Sequence, residues 1–325
     1  MRVSILGAGG WGTTLALILR AGGHQITIWG HRAEHLNEIR RTGFNQPYLP
    51  GVPIPADISL NADLPSVVSD AEVLVVAVPS KAMREVGAAL KDYRGVIVSV
   101  TKGIEFNTGL TMTEVLHDMA PQSGLAALSG PTLALEVAKQ MPSAIVAASA
   151  ETGIAQMVQQ LFNRAHFRVY TSTDIRGVEL GGALKNVIAI GAGIGDGLGF
   201  GDNSKAALLT RAIVEIRRLG VACGAQAETF SGLSGLGDLT VTAFSKLSRN
   251  RGFGERLGKG ESIESIVAST PTVAEGYPNS RSAHQLALRH GVEAPVIAAV
   301  HAVLYEGKGV REGIRDLMMR ELKAE

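Results

Sequence analysis

A single cysteine, Cys223, stands in 325 residues, so no disulfide can form within the chain. Its place in the apolar stretch Ile213 to Cys223 reads as a buried thiol in a reducing compartment. Charge of one sign is also missing: 31 Lys and Arg face 30 Asp and Glu, for a net charge of +1. The basic residues are spread rather than gathered into runs, which excludes the charged face that a nucleic acid or a membrane surface would need. No apolar run reaches the roughly 18 to 20 residues that cross a bilayer, because Gly, Asp, Lys or Arg interrupts each one. Repeats and low-complexity segments are absent as well, and the expectation is a cytoplasmic protein without a membrane span. Arg2, the run Val3 to Leu19 and the small residues Ala21, Gly22 and Gly23 imitate a secretory leader, but the same glycines suit a nucleotide-binding turn better.

Aromatic residues make up only 5% of the chain while glycine is abundant at 39 residues. That balance fits tight strand-to-helix turns and close approach of backbone to ligand. The length exceeds what one hydrophobic core usually organises, so two domains are expected. In the first half, short β-branched apolar runs (Val3 to Leu6, Gln25 to Trp29, Val73 to Val78, Val96 to Val100, Leu125 to Leu128, Ala144 to Ala148) alternate with helical patterns. Those patterns are Thr13 to Arg20, Ala33 to Arg40, Lys81 to Leu90, Thr111 to Met119, Leu133 to Lys139 and Thr152 to Phe162. Such alternation predicts βαβ units and a mostly parallel sheet covered on both faces.

After the run Phe167 to Tyr170 no further strand is predicted. The helical signals there are Val178 to Ile190, Ser204 to Cys223, Arg249 to Leu257, Ile263 to Ala268, Asn279 to His290, Pro295 to Tyr305 and Gly309 to Leu322. The expected architecture is therefore α/β, a Rossmann-type mostly parallel sheet domain over residues 1–176 followed by an all-α domain over 177–325. A ligand is expected in the cleft between the two.

Directly after the first predicted strand comes Gly7-Ala8-Gly9-Gly10-Trp11-Gly12, and a helix follows. In this setting Gly7 permits the turn, Gly9 lets backbone approach a pyrophosphate, and Gly12 allows the helix to pack on the strand, with the helix N-terminus facing the anion. Where an acid would hold the ribose of a cofactor lacking a 2′-phosphate, the chain reads Trp29-Gly30-His31-Arg32. Arg32, with His31, is suited to pair with a 2′-phosphate; the alternative is a solvated helix face on which Arg32 pairs with Glu34 or Glu38.

Lys185 stands in an almost wholly apolar helical stretch, Val178 to Ile190. It suits a positioned acid that protonates a carbonyl oxygen as hydride arrives at carbon, or else its ammonium snorkels to solvent. Burial lowers such a lysine's pKa and a neighbouring phosphate raises it, and the sequence leaves the net direction open. Lys102 in Thr101-Lys102-Gly103 and the segment Gly130-Pro131-Thr132 both follow predicted strands, at the edge where ligands bind in doubly wound folds. Each also has an ordinary reading, as a loop lysine and a helix cap. Asp238, after Gly235-Leu236-Gly237, is a counter-charge for a lysine or a turn residue. Ser248-Arg249-Asn250-Arg251 opens a helix with the residue types that receive a phosphate.

Taken in order, Gly7 to Thr13, Thr101-Lys102-Gly103, Ser129-Gly130-Pro131-Thr132, Leu180 to Ala189 and Leu236-Gly237-Asp238-Leu239 closely resemble the bacterial NAD(P)-dependent glycerol-3-phosphate dehydrogenases. The likeness runs over nearly the whole chain, including Ser248 to Arg251 and Val273-Ala274-Glu275-Gly276-Tyr277. The resemblance implies reversible reduction of dihydroxyacetone phosphate to sn-glycerol 3-phosphate with NADPH or NADH, in support of glycerophospholipid synthesis, and a possible homodimer. It implies Lys185 as the catalytic proton donor and acceptor. Substrate contacts carry over onto Lys102, Gly130, Thr132, Lys185, Asp238, Ser248, Arg249 and Asn250. Cofactor contacts carry over, with the glycines Gly7, Gly9, Gly10 and Gly12, onto Trp11, His31, Arg32, Lys102, Ala134, Arg249, Val273 and Glu275. No metal is implied. One departure is Gly10, where many relatives carry serine. A ketopantoate reductase-like enzyme is the nearest rival reading, weakened by the phosphate-type cluster at Ser248 to Asn250. A protein that senses NADP without turnover is a remoter one.

Overall fold

The computed structural model describes residues 1–269 and 274–322. Contacts divide the chain into two compact units, Met1–Glu105 with Leu110–Glu179, and Phe106–Gly109 with Leu180–Glu325.

The first unit is built on eight strands: β1 (Arg2–Leu6), β2 (Gln25–Trp29), β3 (Ser59–Asn61), β4 (Val73–Val76), β5 (Val96–Ser99), β6 (Gly124–Ser129), β7 (Ser143–Ala148) and β8 (Phe167–Ser172). They form one sheet in the order β3-β2-β1-β4-β5-β6-β7-β8. Every neighbouring pair is parallel except β6 with β7. β4 is Val73-Leu74-Val75-Val76 and is buried throughout, as a strand with helices over both faces must be. Successive residues of the central strands divide between two cores: Ile5, Val75 and Val98 with Leu15 on one face, Leu6, Leu74, Val76 and Ile97 with Leu116 on the other. The chain winds one way from β1 to β3 and the other way from β4. The switch point therefore falls at the carboxyl ends of β1 and β4, where such sheets hold ligands. The residues that imitate a leader form β1 and the helix Gly10–Ala21.

Helix Ile175–Gly197 opens in the first unit and runs into the second. Its 23 residues are long and apolar enough to cross a membrane, which corrects the expectation that no segment reaches that length. Within the protein 94% of its most apolar window is buried, so it is a core helix. The helix expected over Val178 to Ile190 extends through Gly191, Gly193, Gly195 and Gly197, although each glycine costs about 1 kcal/mol of helix propensity. Packing overrides that cost: a Cβ on Gly193 would lie 2.0 Å from the Arg251 carbonyl oxygen, so only glycine lets the two backbones touch. The rest of the second unit is helical, with Asp202–Ala222, Asp238–Phe244, Arg249–Gly258, Ile263–Ser269, Gly276–Arg289, Pro295–Tyr305 and Val310–Met318. No strand occurs among its described residues.

Near the start of that long helix, Glu179 is buried and accepts hydrogen bonds from the Thr113 backbone N–H (2.9 Å) and the Thr113 hydroxyl. Thr113 lies in the first turn of helix Met112–Met119, so the carboxylate also meets the positive end of that helix. Burial dominates nonetheless and pushes the Glu179 carboxyl from 4.5 up to about 7, against the hydrogen bonds from Thr113 and Thr111. The folded protein thus keeps this proton up to about pH 7 while the unfolded chain releases it near 4.5. Its stabilising contribution is complete below the unfolded value and is lost as pH rises through the folded one. Glu179→Gln keeps an acceptor for Thr113 and removes the titration. Urea unfolding at pH 5 and pH 8 is expected to move in the variant's favour by about 1 to 3 kcal/mol between the two; a difference between variant and parent that does not change with pH would contradict it.

Candidate active site

Two groups of predicted site residues form, one in each unit. In the first unit the glycine turn joins β1 to helix Gly10–Ala21. Gly7 adopts φ +134, and a Cβ there would lie 2.4 Å from the Ala77 carbonyl oxygen just past β4. A Cβ on Gly12 would lie 2.1 Å from the Gly7 oxygen, whereas one on Gly9 would meet nothing within 4 Å. The turn is thus packed on its inner side and open at Gly9, as backbone approach to a pyrophosphate requires. Its helix has no acidic residue in the first turn and no side-chain cap, which leaves the positive N-terminus to an anion.

Ala134 lies beside the turn, its backbone oxygen accepting from the Thr14 hydroxyl at 3.1 Å. Trp11 is half-buried and packs against Phe167, ring centroids 6.4 Å apart. Past β2, His31 and Arg32 are exposed. Glu38 pairs with Arg41, while Arg32 donates to the Tyr48 hydroxyl at 2.7 Å and makes no ion pair among the described residues, so the pairing with Glu34 or Glu38 is not formed. Beyond β5, Lys102 Nζ donates to the Gly130 carbonyl oxygen at 3.1 Å, and the Thr132 hydroxyl donates to the same oxygen at 3.2 Å. Lys102, Gly130 and Thr132, far apart in sequence, therefore meet at the carboxyl edge of β5 and β6.

In the second unit Lys185 is only 5% exposed, so its ammonium does not snorkel. Nζ donates to Asp238 Oδ1 at 3.0 Å and to the Thr242 hydroxyl at 2.6 Å. The Thr242 hydroxyl donates in turn to the Asp238 carbonyl oxygen at 2.6 Å. Asp238 is 1% exposed, and a buried carboxylate of this kind supplies the counter-charge without which burying an ammonium would be prohibitive. Asp238 is not a turn residue: it opens helix Asp238–Phe244, directly after a π-helical turn at Leu233–Gly237. Wide turns of this kind are rare overall and are frequent at functional sites.

Thr242 was not found from sequence. One turn beyond Asp238 it shares that residue's face, but Gly232, Gly235 and Gly237 conceal the helix that makes the spacing meaningful.

Asn186, next to Lys185, accepts from Asn250 Nδ2 at 2.8 Å, and Asn250 Oδ1 accepts the Gly276 N–H at 2.9 Å. These bonds tie the lysine helix to the starts of Arg249–Gly258 and Gly276–Arg289. Ser248 caps the former, its hydroxyl oxygen accepting the Arg251 N–H. Ser248 and Asn250 are buried while Arg249 is exposed. Although Arg249 reaches solvent, the protein around its guanidinium draws its pKa below the ordinary arginine value, with Glu275 acting in the opposite sense. A cation over the first turn of a helix, beside buried polar side chains, suits a dianionic phosphate. Glu275 immediately precedes helix Gly276–Arg289; Val273 lies outside the described residues.

A buried, counter-charged lysine is able to hold or deliver a proton at a substrate oxygen, and the glycine turn fits a dinucleotide. The family model for the NAD-dependent glycerol-3-phosphate dehydrogenase N-terminus matches residues 2–155, and that for its C-terminus matches residues 174–315. The chain is 46% identical over 331 aligned positions to the glycerol-3-phosphate dehydrogenase [NAD(P)+] of Chlorobium chlorochromatii, covering 100% of this chain and 99% of the relative. The crystal structure of glycerol-3-phosphate dehydrogenase from Coxiella burnetii superposes with a TM-score of 0.94 at 36% identity, covering 98% of this chain and 99% of that one. A ketopantoate reductase from Ralstonia eutropha matches at a TM-score of 0.61 and 18% identity over 98% of this chain and 100% of its own, a likeness of fold alone. The two family models between them account for both units, and this chain belongs to the NAD-dependent glycerol-3-phosphate dehydrogenases.

Proposed function

We propose that this protein reduces dihydroxyacetone phosphate to sn-glycerol 3-phosphate, and catalyses the reverse oxidation, using NADPH or NADH. The observation that carries the reading is Lys185, buried and held by Asp238 and Thr242, in a chain of this family. When bound, the nicotinamide supplies the hydride. Gly7, Gly9, Gly10 and Gly12 with Trp11 and Ala134 hold its pyrophosphate side, and His31 and Arg32 the adenosine ribose. Val273 and Glu275 are further cofactor contacts by resemblance.

Lys185 protonates the substrate oxygen as the carbonyl carbon is reduced, and takes that proton back in the oxidation. Asp238 and Thr242 fix its Nζ, so that little is lost to reorganisation when charge develops. Arg249, with Ser248 and Asn250 at the start of their helix, receives the substrate phosphate. By resemblance, Lys102, Gly130 and Thr132 are further substrate contacts, and Lys102 and Arg249 are cofactor contacts as well. Ketopantoate has no phosphate for the Arg249 cluster to receive, which disfavours the rival reductase. A sensor that binds NADP without turnover leaves the buried Lys185–Asp238 pair without a use.

The product is the backbone of glycerophospholipids, and supply of lipid synthesis in the cytoplasm is the role we assign, with a homodimer as the working assembly. The deciding experiment follows NADPH or NADH absorbance at 340 nm with dihydroxyacetone phosphate and, as control, ketopantoate. Oxidation with the phosphorylated ketone alone supports the proposal, and oxidation with ketopantoate alone defeats it.

A further inference from the structure

Residues 43–54, between helix Ala33–Thr42 and β3, fold back over the glycine turn. Asn45 is fully buried; its Nδ2 donates to the Ala8 carbonyl oxygen at 3.0 Å and to the Thr13 hydroxyl at 2.8 Å. Its Oδ1 lies 3.0 Å from His35 Nε2. The His35 ring packs on Tyr48, centroids 5.2 Å apart, and the Tyr48 hydroxyl accepts from Arg32 Nη2 at 2.7 Å. The Tyr48 carbonyl oxygen stands 2.5 Å from where a Cβ on Gly10 would be. That approach gives a physical reason for glycine here: a serine at position 10 would force the Tyr48 backbone away.

Asn45, His35 and Tyr48 thus form a continuous path from the glycine turn to the guanidinium of Arg32. An exposed arginine ordinarily samples many rotamers, and holding it in one of them costs up to about 2 kcal/mol of side-chain entropy. Here one nitrogen of the guanidinium is held in advance by a neutral hydroxyl. A carboxylate in that place would neutralise the arginine, whereas the tyrosine leaves the positive charge in place.

We propose that Tyr48 is a specificity-determining residue for the cofactor: it registers Arg32 against the glycine turn so that the guanidinium meets the ribose 2′-phosphate of NADPH. The inference rests on the reading of Arg32 as the 2′-phosphate contact. Tyr48 touches the discriminating arginine and not the reacting atoms, so its removal acts on the choice between NADPH and NADH while leaving turnover at saturation alone.

The test measures kcat and KM for NADPH and for NADH in the parent, Tyr48→Phe, Arg32→Ala and the double variant. Tyr48→Phe removes one hydrogen bond to a charged group and is expected to raise KM for NADPH about 3- to 10-fold, with KM for NADH and both kcat values unchanged. Arg32→Ala raises it further, and Tyr48→Phe adds nothing in the Arg32→Ala background. If Arg32→Ala weakens NADPH selectively and Tyr48→Phe does not, the role of Tyr48 is overturned and the 2′-phosphate site stands. Equal effects of Arg32→Ala on both cofactors overturn the 2′-phosphate reading itself. Equal losses for both cofactors in Tyr48→Phe would assign the tyrosine to the adenosine they share, which also contradicts the proposal.

Discussion

Replacing Lys185 by alanine is expected to lower kcat by about 10²- to 10⁴-fold while NADPH binding stays near the parent value, the usual contribution of a positioned acid. The cofactor turn lies in the first unit and Lys185 in the second, so the substitution leaves the turn itself unaltered, and what it removes is a proton delivered as the carbonyl is reduced, an interaction of the transition state. The variant also strands Asp238, a carboxylate only 1% exposed, without its counter-charge. Breaking a buried ion pair from one side costs about 3 to 5 kcal/mol, so lost turnover alone would not separate chemistry from unfolding. The double variant Lys185→Met with Asp238→Asn removes both charges and restores much of the stability. If turnover stays lost in the double variant while NADPH still quenches tryptophan fluorescence, unfolding is excluded as the cause of the loss in Lys185→Ala. If turnover returns, Lys185 is a structural cation and the mechanism is wrong.

Gly12→Ala carries the second large effect, on the cofactor. The new Cβ would lie 2.1 Å from the Gly7 carbonyl oxygen and 3.3 Å from the Ala77 Cβ. Both neighbours are small and one is backbone, so relief requires the helix Gly10–Ala21 to move off β1. Overpacking of this kind costs about 1 to 3 kcal/mol, and it displaces the N–H groups that meet the pyrophosphate. The dissociation constants of NADPH and NADH are expected to rise together, by roughly ten-fold or more. The equal loss distinguishes this variant from Tyr48→Phe, and unchanged affinity for both cofactors would show that the pyrophosphate does not rest on this turn.

Much of the first unit was legible because its signals are local. β1, the glycine turn and the following helix occupy one stretch of chain, and β4 and β5 are short β-branched apolar runs that only a sheet covered on both faces accommodates. β3 was not legible: Ser59, Leu60 and Asn61 form a three-residue edge strand defined by pairing with β2, and nothing in its composition announces that partner. The helix Leu64–Ser69 was missed for a similar reason, since six residues are too few to establish a period. The stretch Lys81 to Leu90, read as one helix, is α-helical only over Met83–Gly87, with 3₁₀ turns on either side.

At the candidate site the same division holds. Lys185 stood out because a charge in an apolar helix demands a partner, but Asp238 and Thr242 became that partner only once the turn Leu233–Gly237 had aimed their helix. Asn45 and Tyr48 belong to a loop without periodicity, and their importance lies in contacts to residues 32 to 37 positions away in sequence (for Asn45) or 16 (for Tyr48). Contacts of that range are fixed by the folded chain and leave no local signature.

The central claim is the substrate, and the most direct measurement is the 340 nm absorbance of NADPH mixed with purified protein and dihydroxyacetone phosphate. The expected result is rapid loss that requires the phosphorylated ketone, stoichiometric formation of sn-glycerol 3-phosphate, and return of absorbance when that product and NADP⁺ are supplied instead. Tight NADPH binding with no oxidation by dihydroxyacetone phosphate would contradict the account, leaving a dinucleotide-binding sheet whose buried lysine serves some other substrate.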